Sequence, residues 1–327
     1  MKPLNRSTAT LLALAACVLA LPAAAESLGS LKPRPAEMAT LAPTSLLLDI
    51  KLAGPTLVAV GDRGTILRSD DGASWTQVAV PLHVTLTALA FADASHGWAI
   101  GHDGAILHTA DAGKTWAVQR FEPALNQALM GIAVLDTQRV VVVGAFGVLL
   151  STIDGGKTWA DDDAPAILEE GLHLNAVARL GTGELFAVGE TGLLGISADG
   201  TSWERLSLPY EGSLFGVLPV GAKGAIVFGL RGNVLRSDDV RGGQWSAVDI
   251  GTVLSMFNGT VLSDGGVVLV GGDGAIVHIA TDGKVSRSQI EMPVTSLGGG
   301  SLAAVIPWKD GLMIVGEAGA NKAAIPR

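Results

Sequence analysis

Short runs of hydrophobic residues alternate with turn-forming residues along most of the chain. Residues 140–143 are four consecutive valines followed by Gly144, and comparable runs elsewhere end at Gly or Asp. Apolar runs of this length between turn residues are typical of strands buried on both faces. Beyond the N-terminus, no run approaches the roughly 18 residues that a membrane helix needs. Residues 164–171 predict one short helical turn, and the rest of the pattern predicts an all-β protein.

A pair of glycines separated by two residues recurs along the chain, each time followed by apolar residues. The seven pairs are Gly61/Gly64, Gly101/Gly104, Gly144/Gly147, Gly189/Gly192, Gly229/Gly232, Gly271/Gly274 and Gly316/Gly319. Their first glycines are 40, 43, 45, 40, 42 and 45 residues apart. A near-constant period of this size marks a propeller or a solenoid, in which each repeat is one structural unit.

Each repeat contains short strand patterns separated by tight turns. In the second copy, four strands are predicted at residues 86–91, 97–100, 105–108 and 116–121. Because four such strands form one propeller blade, the sequence predicts a seven-bladed β-propeller of four-stranded antiparallel blades. The seventh repeat shows only three strand patterns, at residues 302–306, 312–315 and 320–325. We predict that residues 36–41 complete it, since a strand from the opposite end of the chain would remove exposed sheet edges.

A second motif, S-x-D-x-G-x-T-W, lies between the third and fourth strands of five repeats. Copies of this Asp-box span residues 69–75, 109–116, 151–159, 197–203 and 237–245, and residues 281–284 are a degenerate copy without the tryptophan. An aspartate in such a turn accepts backbone N–H bonds, the glycine adopts positive φ, and the tryptophan packs over the turn. We therefore predict structural roles for Asp71, Trp75, Asp111, Trp116, Asp154, Trp159, Asp199, Trp203 and Trp245, with either Asp238 or Asp239 serving the fifth copy.

The N-terminus has the pattern of a secretory signal peptide. Lys2 and Arg6 precede an apolar stretch at residues 11–21, and three alanines end at Ala25. This order predicts a signal peptide of residues 1–25, a single propeller domain of residues 26–327, and a periplasmic or secreted location. The alternatives are a lipoprotein anchored at Cys17, which follows Leu-Ala-Ala, and an uncleaved anchor. Cleavage after Ala25 leaves no cysteine and therefore no disulfide.

The charge balance argues against some partners. The formal net charge is −9, and loss of residues 1–25 would make it −11. Nucleic acids and anionic lipids need a basic surface, so neither is an expected partner. No direct membrane insertion is expected once the signal is removed.

The motifs of metal, phosphate and hydrolase sites are not evident in the sequence. The six histidines lack metal-binding spacing, and Asp161-Asp162-Asp163 is interpreted as a solvated acidic loop. The glycine pairs lead into strands and not helices, so they are not phosphate loops. No G-x-S-x-G nucleophile elbow is present. We predict no metal and no cofactor.

Recognition is expected on the face opposite the Asp-boxes, where the G-x-x-G turns and the connections between blades meet. Varied side chains on rigid turns suit the binding of a partner or a ligand. The connections contribute His83, His173 and Asn175 to this face. The predicted partner-binding set, taken as a surface with no catalytic residue, is Arg63, His102, Phe146, Glu190, Tyr210, Glu211 and Arg231.

With both motifs, the chain resembles the photosystem II stability/assembly factor family of Asp-box (BNR) propellers, and most closely its periplasmic members in non-photosynthetic bacteria. The matching stretches are residues 96–104, 210–216 and 228–233, and the resemblance covers about residues 36–320. It implies a non-catalytic accessory that binds or assembles a membrane protein complex, in this branch an exporter of the resistance-nodulation-division type. The acidic balance departs from the arginine-lined surface of photosynthetic members.

Two other functions remain open from the residues. Asp-boxes also occur in sialidases, which use a Tyr nucleophile paired with Glu, and Tyr210 is followed directly by Glu211. Adjacent residues on a strand point to opposite faces, although this objection weakens on a loop. Other glycan hydrolases use two carboxylates roughly 5–10 Å apart. The second alternative is binding of carbohydrate or another small ligand in the central funnel.

Overall fold

The computed structural model describes residues 33–290 and 300–327. These residues form seven antiparallel sheets in which each strand pairs with its neighbours in sequence. The chain is therefore an all-β, seven-bladed propeller, as the repeat predicted. Six sheets have four strands and the seventh has three among the described residues.

The blades follow one another along the chain. Blade 1 holds β1 (Leu47–Ala53), β2 (Thr56–Gly61), β3 (Ile66–Ser69) and β4 (Thr76–Gln77). Blade 2 holds β5 (Leu86–Phe91), β6 (Gly97–Gly101), β7 (Ile106–Thr109) and β8 (Ala117–Arg120). Blade 3 holds β9 (Leu129–Val134), β10 (Val140–Gly144), β11 (Leu149–Thr152) and β12 (Ala160–Asp161). Blade 4 holds β13 (Leu174–Arg179), β14 (Leu185–Gly189), β15 (Leu194–Ser197) and β16 (Glu204–Leu206).

The last three blades repeat this order. Blade 5 holds β17 (Leu214–Val220), β18 (Gly224–Gly229), β19 (Val234–Ser237) and β20 (Ser246–Ala247). Blade 6 holds β21 (Met256–Val261), β22 (Val267–Gly271), β23 (Ala275–Ile279) and β24 (Val285–Gln289). Blade 7 holds β25 (Leu302–Trp308), β26 (Gly311–Gly316) and β27 (Gly319–Ala323).

In the residues that the structure describes, helical structure is limited to single turns. One α-helix, α1 (Pro165–Leu168), lies in the predicted segment between blades 3 and 4. The 3₁₀ turns are Ala42–Thr44, Asp62–Gly64, Pro123–Leu125, Ala145–Gly147, Glu190–Gly192, Leu230–Gly232, Val240–Gly242 and Gly272–Gly274. In residues 33–290 and 300–327, no helix has the length and apolar character needed to span a membrane. The predicted signal peptide and Cys17 lie outside the described residues.

The innermost strands close a ring around a central channel. The first strand of each blade contacts the first strand of the next, and β25 of blade 7 contacts β1 of blade 1. The second strand of each blade is almost wholly buried, as in β10, because neighbouring blades pack on both of its faces. This position explains the continuous apolar runs in the sequence. The short outer strands, such as β12, are exposed.

The prediction that residues 36–41 complete blade 7 is wrong. These residues form no strand, and they lie along the outer edge of blade 1. The backbone N–H of Ala36 donates to Val80 O at 3.0 Å, and the Gln77 side chain bonds to the backbone at Glu37 and Ala39. The next turn, Ala42–Thr44, contacts both β27 and β4. The chain therefore crosses the seam at this turn, and the residues before it lie beside blade 1 and not beside blade 7. Among the described residues, the ring is thus joined at this seam by side-chain packing and a connecting turn, without a shared strand.

Candidate functional site

The Asp-box turns are stabilised by their aspartates. Asp154 Oδ1 accepts from the Thr158 N–H at 3.0 Å, while its Oδ2 accepts from the Thr158 hydroxyl at 2.7 Å. Asp199 Oδ1 accepts the N–H groups of Thr201 and Ser202 at 2.9 and 2.8 Å. Asp71 and Asp111 make the same kind of bonds within their turns. In the fifth copy Asp239 caps the turn by accepting from Arg241 N–H and Gly242 N–H, which settles the choice left open with Asp238.

These bonds favour the charged form of each carboxyl group. The backbone N–H of Thr158 lowers the pKa of Asp154 to about 2, and those of Ser202 and Thr201 lower the pKa of Asp199 to about 2. The N–H groups of Ser74 and Ala73 likewise hold the pKa of Asp71 far below its ordinary value. A carboxyl group held in its charged form by its own turn carries no proton at neutral pH and cannot serve as a general acid.

The Asp-box tryptophans pack into the core between blades. Trp116 and Trp203 are buried, and each donates its indole N–H to the carbonyl of its own Asp-box glycine. Trp75, Trp159 and Trp245 are half-buried against neighbouring clusters. Each box also touches the preceding blade: a Cβ added at Gly72 would meet Met313 and Trp308 of blade 7. These geometries give the boxes a role in joining blades.

The G-x-x-G turns lie on the opposite face. Their second glycines bond to the connection leading into the next blade: Gly64 N–H donates to Val84 O at 2.7 Å, and Gly104 N–H donates to Gln127 O at 2.8 Å. The Asp-boxes instead bond to the turns between first and second strands, as in Ala112 N–H to Ser95 O. The two motifs therefore mark the two faces of the ring, called below the turn face and the Asp-box face.

Three side chains make one continuous contact across blades 3 and 4 of the turn face. Phe146, at a turn tip, is 71% exposed and packs edge-on against His173, with ring centroids 4.7 Å apart. Glu190 accepts the backbone N–H of His173 at 2.9 Å. Its carboxylate also lies 3.8 Å from His173 Nδ1. The predicted residues Phe146 and Glu190 are thus brought together by a connection residue.

Tyr210, Glu211 and Arg231 lie at the junction of blades 4 and 5. The Tyr210 hydroxyl donates to Leu230 O at 3.3 Å, one residue before Arg231. Burial raises the pKa of Tyr210, although the Asn233 side chain and Arg231 oppose that effect. A raised pKa disfavours the phenolate that a sialidase-like nucleophile would require. Glu211 and Arg231 are exposed.

Arg63 and His102 lie on the same face in blades 1 and 2, apart from the others. Arg63 is exposed and pairs with Asp62 at 3.3 Å, and His102 is exposed. The predicted set is therefore two groups, at the junctions of blades 3 and 4 and of blades 4 and 5, plus two separate turn tips, and it is not a single compact site.

The central channel holds residues that the sequence did not single out. Its cavity, about 420 Å³, is lined mainly by first strands. The channel-lining residues of the described chain include one carboxylate, Asp49, which pairs with Lys51 Nζ at 2.6 Å. Asp49 also accepts the N–H groups of Ile50 and Leu89, the latter from blade 2. Its role in the channel is therefore to join two blades.

Each first strand carries a one-residue β-bulge near the turn face. The seven extra residues, which we call the bulge collar, all line the channel and are Leu48, Thr87, Met130, Asn175, Phe215, Phe257 and Ala303. Sequence reasoning placed Asn175 in a connection, whereas it lies in β13. The other six were missed because a bulge shifts strand alternation by one residue, so the pattern alone does not show which face they occupy. The signal in the sequence was the constant offset of about 14 residues from the collar residue to the first glycine of each pair.

Comparison with known proteins agrees with this architecture. The sequence profile of the family described as Photosynthesis system II assembly factor YCF48 matches residues 67–129 and 119–290. A chloroplastic photosystem II stability/assembly factor, HCF136 of Cyanidioschyzon merolae, is 42% identical over 53 residues. That match covers 16% of this chain and 12% of the relative's length.

Solved structures share the fold over most of the chain. A structure described as YCF48 bound to D1 peptide has a TM-score of 0.68 at 20% identity, covering 90% of this chain and 98% of that one. YCF48 from Cyanidioschyzon merolae has a TM-score of 0.67 at 18% identity, covering 88% and 97%. A streptogramin B lyase has a TM-score of 0.73 at 13% identity, covering 86% and 95%. These structural likenesses show the fold, and the profile match over more than half the sequence shows that the chain belongs to the YCF48 family of photosystem II assembly factors.

Proposed function

We propose that the protein is a non-catalytic assembly accessory that binds a segment of a membrane protein on its turn face. The observation that carries the proposal is the exposed Phe146, held by His173 and Glu190 at the rim of a rigid ring. An exposed aromatic side chain fixed by its neighbours is typical of a binding hot spot. The family relationship supports the same reading, since one relative is described as bound to a peptide.

The Asp-box face is less suited to this role. Its aspartates bond to their own turns, and its glycines pack against the preceding blade. The exposed apolar residue Ile153 lies in the blade 3 Asp-box and is 80% exposed, so it provides a control of similar size and exposure to Phe146.

Site-specific photocrosslinking in cells tests the proposal. A benzoylphenylalanine placed at Phe146 is expected to crosslink to an integral membrane polypeptide, and the same residue at Ile153 is not. Absence of a membrane polypeptide at Phe146, or an equal product at Ile153, would contradict the proposal.

The client proposed for this chain is a complex met outside the cytoplasm, such as an exporter of the resistance-nodulation-division type. The signal-like pattern of residues 1–25 and the acidic net charge of −9 support this choice over a photosystem-like client. Deletion of the gene is expected to lower the amount of assembled exporter in the membrane without changing its transcript. Unchanged exporter assembly would contradict this client while leaving the binding role to be judged by the crosslinks.

A further inference from the structure

The bulge collar presents mainly carbon atoms at the mouth of the channel. Its two polar members bond to the next blade: Thr87 Oγ1 donates to Leu129 O at 2.6 Å, and Asn175 Nδ2 donates to Leu214 O at 2.7 Å. These bonds commit the Thr87 hydroxyl proton and one Asn175 N–H to the neighbouring blades, so the polar part of the collar is small. The collar residues without polar side-chain atoms are Leu48, Met130, Phe215, Phe257 and Ala303.

This mouth opens on the turn face. The residue before each collar residue pairs with the first glycine of a G-x-x-G turn. In blade 1, for example, Leu47 precedes Leu48 and pairs with Gly61. The mouth cavity, about 390 Å³, is lined by five of the collar residues together with Leu46, Ser301 and Glu317, and Glu317 is a tip of the blade 7 turn. Phe215 and Phe257 stand side by side with ring centroids 5.8 Å apart, and Phe257 remains 36% exposed.

The rim around the mouth is acidic. The tips of the seven G-x-x-G turns carry more acidic than basic residues, namely Asp62, Asp103, Glu190, Asp273 and Glu317 against Arg63 and Arg231. Arg63 and Asp62 pair with each other, which leaves Asp103, Glu190, Asp273 and Glu317 against Arg231. The charge on the rim therefore complements a cationic ligand, and the mouth complements an apolar one.

From this pairing of an apolar mouth with an acidic rim, we infer that the bulge collar holds one bulky apolar side chain of a client segment whose flanking residues are Lys or Arg. The inference rests on the proposed function and specifies the chemistry of the client. The apolar side chain becomes buried among Leu48, Met130 and Phe257, while the flanking cations face the acidic turn tips. An aromatic or branched aliphatic residue suits the cavity volume.

Synthetic peptides test the inference directly. The probe is a labelled 13-residue peptide with one central phenylalanine between two lysines on each side, in a glycine-serine background. Two matched peptides replace the phenylalanine with serine or the four lysines with glutamate. Fluorescence anisotropy at low salt is expected to show at least about tenfold tighter binding of the first peptide than of the serine peptide, because a large apolar side chain is removed from water. The glutamate peptide is expected to bind more weakly than the first, because its charge has the same sign as the rim.

Variants of the protein locate the site. Phe257→Ser is expected to weaken binding of the phenylalanine peptide about tenfold, whereas Ile153→Ser on the Asp-box face leaves it unchanged. Ala303→Trp narrows the collar from blade 7 without removing a core side chain, and it is expected to weaken binding as well. Thermal unfolding of each variant checks that the ring is intact.

The outcomes separate this inference from the proposed function. Equal affinity for the phenylalanine and serine peptides, no binding of any of them, or no effect of both Phe257→Ser and Ala303→Trp would overturn the collar as the site. The proposed function would then still stand if crosslinks from Phe146 to a membrane polypeptide persist. Selective peptide binding at the collar without those crosslinks would uphold the collar's chemistry and reject the membrane client.

Discussion

At the residue scale, the G-x-x-G turns hold residues other than glycine in the left-handed region. Arg63, Asp103, Phe146, Thr191, Arg231 and Asp273 have φ between 51° and 58°. The glycine that follows also has positive φ, and its N–H or carbonyl meets the connection to the next blade. The turn thereby directs one side chain away from the sheet in each of blades 1 to 6, at the expense of backbone strain.

Thr191 is the β-branched residue among these strained tips, and β-branched residues adopt positive φ least readily. Thr191→Asn is expected to raise the free energy of unfolding by about 0.5–1 kcal/mol, because Asn tolerates the left-handed region. Urea denaturation measures the change. Thr137→Asn, at a turn position without positive φ, is the control. Equal effects of the two substitutions would show that strain at Thr191 is negligible.

Asp199 gives a prediction about acid stability. Its pKa is about 2 in the folded protein against 3.8 ordinarily, so its contribution is complete above about pH 4 and is lost as the pH falls toward 2. Asp199→Ala is expected to lower the unfolding free energy by about 1 kcal/mol at neutral pH, by analogy with a lost helix cap. The difference from wild type should shrink between pH 4 and pH 2.

Urea titrations at several pH values check this dependence on Asp199. Asp161→Ala removes an exposed carboxylate in β12 and serves as the control. A difference between wild type and Asp199→Ala that stays constant down to pH 2 would show that the turn bonds do not stabilise the charged form.

At the element scale, polar side chains connect adjacent blades near the Asp-boxes. Gln119 of β8 accepts the indole N–H of Trp98 at 3.0 Å and that of Trp159, from blade 3, at 3.4 Å. Its Nε2 donates to Gly155 O in the blade 3 Asp-box at 2.8 Å. One side chain thus joins two blades and satisfies the fully buried Trp98.

Gln119→Leu is expected to lower the unfolding free energy by about 1–3 kcal/mol, because it leaves the buried N–H of Trp98 without an acceptor. Gln119→Glu keeps an acceptor for Trp98 but loses the Nε2 donor to Gly155 O, so comparison of the two variants separates these two bonds. Denaturant unfolding followed by tryptophan fluorescence measures both variants. A Gln119→Leu protein as stable as wild type would show that Trp98 finds another partner.

The strands and turns were largely predictable from the sequence because every repeat needs glycine for two reasons, close approach of two backbones and positive φ. The second repeat illustrates this: the strand predicted at residues 86–91 is β5 (Leu86–Phe91), and the other three agree within one or two residues. Glycine is required where backbones approach and where φ is positive, so the turns are visible in the sequence. The bulge positions were not identified from residue type, because the collar residues vary from the apolar Leu48 to the polar Asn175 and no single residue type marks a bulge.

At the scale of the whole molecule, the seam between blades 7 and 1 differs from the other six. Gly72 packs against Trp308 and Met313 across it, and Ala42, at the start of the connecting turn, is buried. Sequence reasoning expected a strand here because ring closure by a shared strand is a general solution to exposed edges. The hydrogen bonds of residues 36–39 to blade 1 show that this segment serves the first blade instead.

Two truncations test the closure of the ring. Among the described residues, a chain beginning at residue 41 loses the bonds of residues 36–39 to blade 1 and the bond from Ala42 N–H to Ala39 O. Its unfolding free energy is expected to fall by about 1–2 kcal/mol while β25 to β27 keep their protection from hydrogen exchange. A chain beginning at residue 46 also loses the Ala42–Thr44 turn, and exchange in β27 is expected to accelerate. Loss of protection in β27 with the shorter truncation would contradict this assignment.

The bulges determine where the sequence can change without disturbing the sheets. In each first strand, pairing resumes in register immediately after the extra residue, as at Asp49 and Val60 in blade 1. A substitution at one of the seven positions therefore alters the entrance to the pore without shifting any neighbouring pair. The propeller is thus a constant framework with variable positions at one entrance, of which Leu48, Met130 and Ala303 carry no side-chain bond to a neighbouring blade, and new selectivity can arise there while the architecture is preserved.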